Sequence, residues 1–181
     1  DHLCSLARPG PGFTVPNAVP PAEDIEPVSY GWCHGVVGTV RLFWVLGDLA
    51  TVDAGLLAAR RSGLPRRLRP GFWDNLGRCC GSAGVGEAVL DRYQQTGDPE
   101  LLAFADELAR DILDRAERDD DGTRWRFTEH ADGEERLMRP EAGWMQGAAG
   151  IAAYLLRLHR VHRDGPAATR LAWPETPVDT C

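Results

Sequence analysis

The sequence predicts an all-α chain, a partial α/α toroid of tandem helix pairs with a small hairpin-like insertion near 119–137. Three observations predict it. Gly31-Trp32-Cys33-His34-Gly35-Val36-Val37-Gly38 has the glycine spacing of Gly77-Arg78-Cys79-Cys80-Gly81-Ser82-Ala83-Gly84 and again of Gly143-Trp144-Met145-Gln146-Gly147-Ala148-Ala149-Gly150. Each copy runs into an apolar stretch, with Phe43/Trp44, Val89/Leu90 and Leu155/Leu156 at one common offset. A second helical pattern follows the first two copies, and helix pairs in tandem are the mark of a solenoid or closed ring.

Residues 1–30 carry six prolines and little periodicity, so an extended, irregular lead-in is expected. The toroid repeats then occupy 31–163, with motifs at 31–38, 77–84 and 143–150. Ala54 to Ser62 is one candidate second helix. A stronger one starts at Asp98-Pro99, a good N-cap and first-turn pair, with Leu101, Phe104, Leu108, Ile112 and Leu113 on one face. The first two copies start 46 residues apart and the last two 66 apart. The surplus falls around Asp119–Arg136, where Asp-Asp-Asp-Gly and Asp132-Gly133 mark turns. Trp125 and Phe127 alternate there with Arg124, Arg126 and Thr128, which suits a small hairpin. Residues 164–181, with Pro166, Pro174 and Pro177, read as a tail.

Composition narrows the function. A chain of 181 residues with 43% apolar content can bury a real core. The formal charge of −7 and the lack of a basic stripe argue against nucleic acid. All basic side chains are Arg, so no catalytic Lys is available. The longest uncharged run near the end, Ala142 to Leu156, falls short of the ~20 residues of a membrane span, and the first thirty residues lack the form of a secretory signal. A soluble, cytoplasmic protein is expected. Its cysteines would stay reduced there, and clustered ones read as metal ligands or nucleophiles.

The repeat contains its own control. The glycines persist in all three copies and so serve the fold; they are expected where helix starts crowd together at the mouth of the ring. Cys33 and Cys79-Cys80 stand where the third copy has Met145-Gln146, so the cysteines are not needed for folding and suggest a grafted site. A cysteine ahead of a helix N-terminus has its thiolate favoured. Consecutive helical residues point ~100° apart, so Cys79 and Cys80 reach one ion only from the loop before the helix. Three thiolates on Zn²⁺ would leave a fourth position open, as in a catalytic site. Such an electron-rich centre is a poor Lewis acid for a carbonyl and better suited to hold a thiol as thiolate, which points to sulfur alkylation. The plainer reading is a buried cysteine acting as a small hydrophobe. Cys4 and Cys181 lie in the termini and read as bystanders. His34 is a candidate fourth ligand, a donor to a ligand or a polar loop residue. His130, on the inserted segment, is a candidate proton donor, with a solvated loop histidine the commoner case. His159 and His162 suit the dipole at the end of the third helix.

The three motifs in order, Trp32-Cys33-His34-Gly35, Cys79-Cys80-Gly81 and Gly147-Ala148-Ala149-Gly150-Ile151, resemble the lanthionine synthetase C-like family over roughly residues 28–163. In that family a W-C-x-G segment supplies the first zinc ligand and a C-H-G segment the second and third. Cys33 and Cys79 match the two cysteine positions. Cys80 stands where the family usually has His, and some of its cyclases are similar in having three cysteines. The resemblance implies a catalytic Zn²⁺ held by Cys33, Cys79 and Cys80, and addition of a thiol to a dehydrated Ser or Thr. The partner is then a dehydrated precursor peptide or, in conjugating relatives, a small thiol such as glutathione. Family members carry a longer N-terminal half that holds the proton-handling His and Asp. The chain is therefore expected to be the C-terminal part of a longer cyclase, with the missing half of the ring as a further partner, or else a shortened relative of the family. Two other readings stand beside it: thiol conjugation to dehydroamino acids, and a non-catalytic peptide-binding toroid.

Overall fold

In the first stretch of chain the apolar residues Val36, Val37, Val40, Phe43 and Trp44 recur at helical spacing, and all five are buried on helix α2, Val36–Val45. α1 is a single turn, His2–Ser5. The computed structural model describes residues 2–8, 10–20, 26–68, 72–131 and 134–170, with backbone alone for His130 and Ala131. Within the expected lead-in and tail, Pro9, Pro21 and residues 171–181 lie outside it, as does the Asp132-Gly133 turn. The described chain divides into two units, one up to Gly63 and one from Leu64 onward.

In the first unit α2 packs on α3, Leu49–Arg61. Gly47, at φ +74°, turns the chain between them. Asp48 caps α3 by accepting from the Thr51 backbone N–H at 3.1 Å and its hydroxyl at 2.7 Å. That cap starts the helix five residues before the expected Ala54, whose window caught only the apolar half. The lead-in is stitched down: the Phe13 N–H donates to the Ala54 carbonyl at 3.0 Å, and its ring meets Phe43 edge-on at 5.2 Å.

The second unit is built on α4, Ser82–Thr96, whose first ten residues are all buried. It packs on α5, Pro99–Asp114, and on α6, Ala148–Asp164. Gly97, left-handed at φ +70°, ends α4, and the Asp98 carboxylate caps α5 through the Glu100 N–H at 2.9 Å. Phe104, Ala105, Leu108, Ala109 and Ile112 form the buried face of α5, while Leu113 is 44% exposed and does not belong to it. On α6 the buried stripe is Ile151, Tyr154, Leu158 and Val161. Leu156, aligned by repeat with Trp44 and Leu90, is exposed because α6 buries one stripe only. Gly86 admits the Tyr154 ring, which any Cβ there would overlap, and the buried Tyr154 hydroxyl donates to the Ala105 carbonyl at 2.6 Å. The chain after α6 forms a short 3₁₀ turn, Gly165–Ala167, held by the Gln94 amide through the Pro166 and Ala168 carbonyls.

The insertion is two hairpins where one was expected. β1 (Glu117–Asp119) pairs with β2 (Gly122–Arg124), and β3 (Thr128–Ala131) with β4 (Glu134–Leu137), both antiparallel. Trp125 separates them: it is buried and donates its indole N–H to the Ile112 carbonyl at 2.8 Å, which breaks the ladder after Arg124. These six α-helices and four short strands are consistent with an all-α, partial toroid. Among the described residues no helix is long and apolar enough to cross a membrane.

Candidate metal centre

A helix start leaves backbone N–H groups without intrahelical partners. At Gly35, Gly81 and Gly147, which precede α2, α4 and α6, the backbone is extended and no side chain caps the helix. The chain caps itself. Val36 and Gly38 donate to the carbonyls of Ser29 and Gly31, at 3.1 and 3.4 Å. Ala83 and Gly84 donate to Leu76 and Gly77 at 3.0 and 3.4 Å, and Ala148 and Ala149 to Glu141 and Ala142 at 2.9 and 3.4 Å. Each bond reaches back seven residues, so each motif loop curls over the helix it opens.

This geometry explains the glycines. A Cβ on Gly35, Gly81 or Gly147 would overlap the carbonyl oxygen of Ser29, Asn75 or Glu141, six residues earlier. One on Gly38, Gly84 or Gly150 would overlap that of Trp32, Arg78 or Trp144. The crowding partner is thus the residue's own loop rather than a neighbouring helix start. Gly77 is the exception: a Cβ there would lie 2.8 Å from the Gln146 Cα.

The variable residues ride on the crest of this loop. Cys79 and Cys80 are half-buried and lie ahead of α4, off the regular helix, and their Sγ atoms approach to 3.3 Å. The Cys79 N–H is anchored to the Met145 carbonyl at 2.7 Å. Two thiolates on one tetrahedral Zn²⁺ would stand about 3.8 Å apart, given Zn–S bonds of about 2.3 Å, so a small rotation suits this pair to the ion. In the first unit Cys33 occupies the corresponding crest ahead of α2, partly exposed. Within the second unit, Cys79 and Cys80 offer two adjacent thiols that could bind one metal ion. His34, next to Cys33 in the first unit, has an exposed side chain. His130 is on β3 opposite Glu135, and its side chain lies outside the described residues. Cys4 is exposed on α1, and Cys181 lies outside the described residues.

Several residues beside the pair escaped sequence reading. Arg78 and Glu87 are buried and paired at 2.9 Å, and the Arg78 guanidinium lies over the Trp144 ring. The Asn75 amide clasps the Thr128 backbone, donating to its carbonyl at 2.8 Å and accepting from its N–H at 2.7 Å. That clasp roots β3 at the loop carrying the two thiols. Arg78 had a signal: it stands where the other copies have Trp32 and Trp144. Asn75 had none.

The family described as lanthionine synthetase C-like protein matches residues 17–165, a span that takes in all three glycine motifs. No curated protein matches the chain.

Proposed function

We propose that this chain, which belongs to the lanthionine synthetase C-like family, forms thioethers by zinc-dependent addition of a thiol to dehydrated Ser or Thr. The family assignment supports a lanthionine-synthetase-like function, and the family acts on peptides. The observation that carries the finer reading is the 3.3 Å approach of two adjacent thiols on a helix-capping loop. A third cysteine, Cys33, occupies the same crest in another copy.

Cys33, Cys79 and Cys80 would hold the ion, Cys33 from the loop that opens α2 and the pair from the loop that opens α4. A bound Zn²⁺ with three thiolates supplies a place where an incoming thiol is held as a nucleophilic thiolate at neutral pH. The loop, closed by its own backbone, fixes the backbone positions from which the two adjacent thiols reach that place. In the reaction an S–H bond breaks and a C–S bond forms at the β-carbon of the dehydrated residue. The α-carbon takes up the proton. His34, exposed beside Cys33, is the imidazole this chain offers for returning it, with His130 as the other candidate.

Metal analysis tests the ligand set. Purified wild type should carry about one zinc per chain, lost in Cys33→Ala and in Cys80→Ala; full zinc in Cys80→Ala would remove that residue from the set. Activity is read with a dehydrated peptide containing cysteine. Ring closure leaves the mass unchanged while free thiol disappears. A thiol count that stays constant over prolonged incubation with zinc-loaded protein would refute the reading for this chain.

A further inference from the structure

A guanidinium stays charged in proteins and is costly to bury, and an ion pair in the core is weak evidence for stability. Arg78 is only 4% exposed and immediately precedes Cys79. It is held from two directions. Its Nη1 lies 2.9 Å from the Glu87 Oε1 on α4, and its Cζ lies over the Trp144 ring of the third motif, 4.6 Å from the ring centre. Glu87 also pairs with Arg157 of α6, whose guanidinium reaches Asp91 at 2.7 Å and Gln94 at 2.6 Å. Burial weakens the charge on Arg157, but Asp91 and Glu87 outweigh it and keep the group protonated more firmly than usual. Glu87 thus stands between two guanidiniums inside the second unit.

The repeat shows what is particular here. Copies with one thiol or none use an indole at this position, Trp32 and Trp144; the copy with two adjacent thiols uses Arg78. Aiming two consecutive side chains the same way requires a loop that cannot relax. Backbone holds it at Gly77, against Gln146, and at Cys79, through Met145. Between those points the Arg78 side chain ties it down to α4. We infer that Arg78 is a positioning residue that keeps Cys79 and Cys80 aimed at a common ion before the ion arrives. This rests on the metal reading proposed above. Preorganisation of this kind appears as affinity, because less order has to be imposed on binding.

Cobalt(II) titration of the whole chain, followed by its thiolate charge-transfer and ligand-field absorption, tests this. Arg78→Gln should bind cobalt at least about tenfold more weakly than wild type and show a reduced charge-transfer band per bound ion. Arg78→Lys, which keeps the charge and loses the plane, should fall between them. Arg157→Gln removes the other guanidinium of the same network, away from the thiols. It should lower the thermal midpoint comparably while leaving cobalt affinity within about twofold of wild type. Should Arg78→Gln fail to fold, Arg78→Lys against Arg157→Gln makes the same comparison. Unchanged affinity in the Arg78 variants, or an equal loss in Arg157→Gln, overturns the positioning role alone. A wild type that takes up no cobalt overturns the metal reading and this inference with it.

Discussion

The second and third glycine motifs are the same piece of architecture with different cargo. Both curl over a helix start, both satisfy its N–H groups with carbonyls seven residues back, and both forbid a Cβ at the same two places. One carries Cys79-Cys80 on its crest and the other Met145-Gln146. The difference teaches that in this chain the cap belongs to the fold and the crest to the chemistry, and that the two are separable.

The sharpest way to break that comparison is to put a methyl group where the caps exclude one. Gly84→Ala and Gly150→Ala should each cost about 3 kcal/mol in urea unfolding, the upper range for overpacking, because the obstacle is backbone. A large loss at one and none at the other would show that the caps are not equivalent. α5 sets the opposite case, a helix capped by a side chain. Asp98→Ala should cost about 1 kcal/mol by the same measurement, whereas crest substitutions leave the backbone caps intact.

A subtler contrast lies just inside the two helices. Ser82 opens α4 where α6 has Ala148, and its hydroxyl accepts from the Trp73 indole at 3.0 Å and donates to Asp111 at 3.2 Å. Burial raises the Asp111 carboxyl above its ordinary range, against the pull of Arg115 and Ser82. Its pKa is then higher folded than unfolded, so ionisation costs stability as pH rises through that window. Asp111→Asn cannot ionise. Its stability relative to wild type should therefore climb from about pH 4 toward neutrality. Denaturant midpoints that keep a constant gap over that range would rule this out. The smallest effect is expected on the crest without thiols: Met145→Leu should shift stability by about 0.5 kcal/mol or less and leave zinc content unchanged.

Much of this was legible in the sequence because the motif repeats. Gly35, Gly81 and Gly147 marked the start of every major helix except the two that open on Asp48 and Asp98, and Asp98-Pro99 was itself readable as a cap. Asp48 was missed because Leu49-Ala50-Thr51-Val52 shows little periodicity and the cap depends on a hydroxyl three residues on. The insertion split into two hairpins for a tertiary reason, the burial of Trp125 against the end of α5, which no local pattern encodes. The residues around the thiols divide the same way. Arg78 broke a visible pattern, while Glu87, nine residues later and inside a buried helix, becomes its partner only in three dimensions.

Because peptide groups alone close each cap, the two central residues behave as a cassette: exchanging them leaves every bond that starts the helix untouched. Positions 145 and 146 already have the frame that presents Cys79 and Cys80. A second soft-metal foothold, or a covalent label beside α6, could therefore be written into the chain by two side-chain changes and no alteration of its backbone.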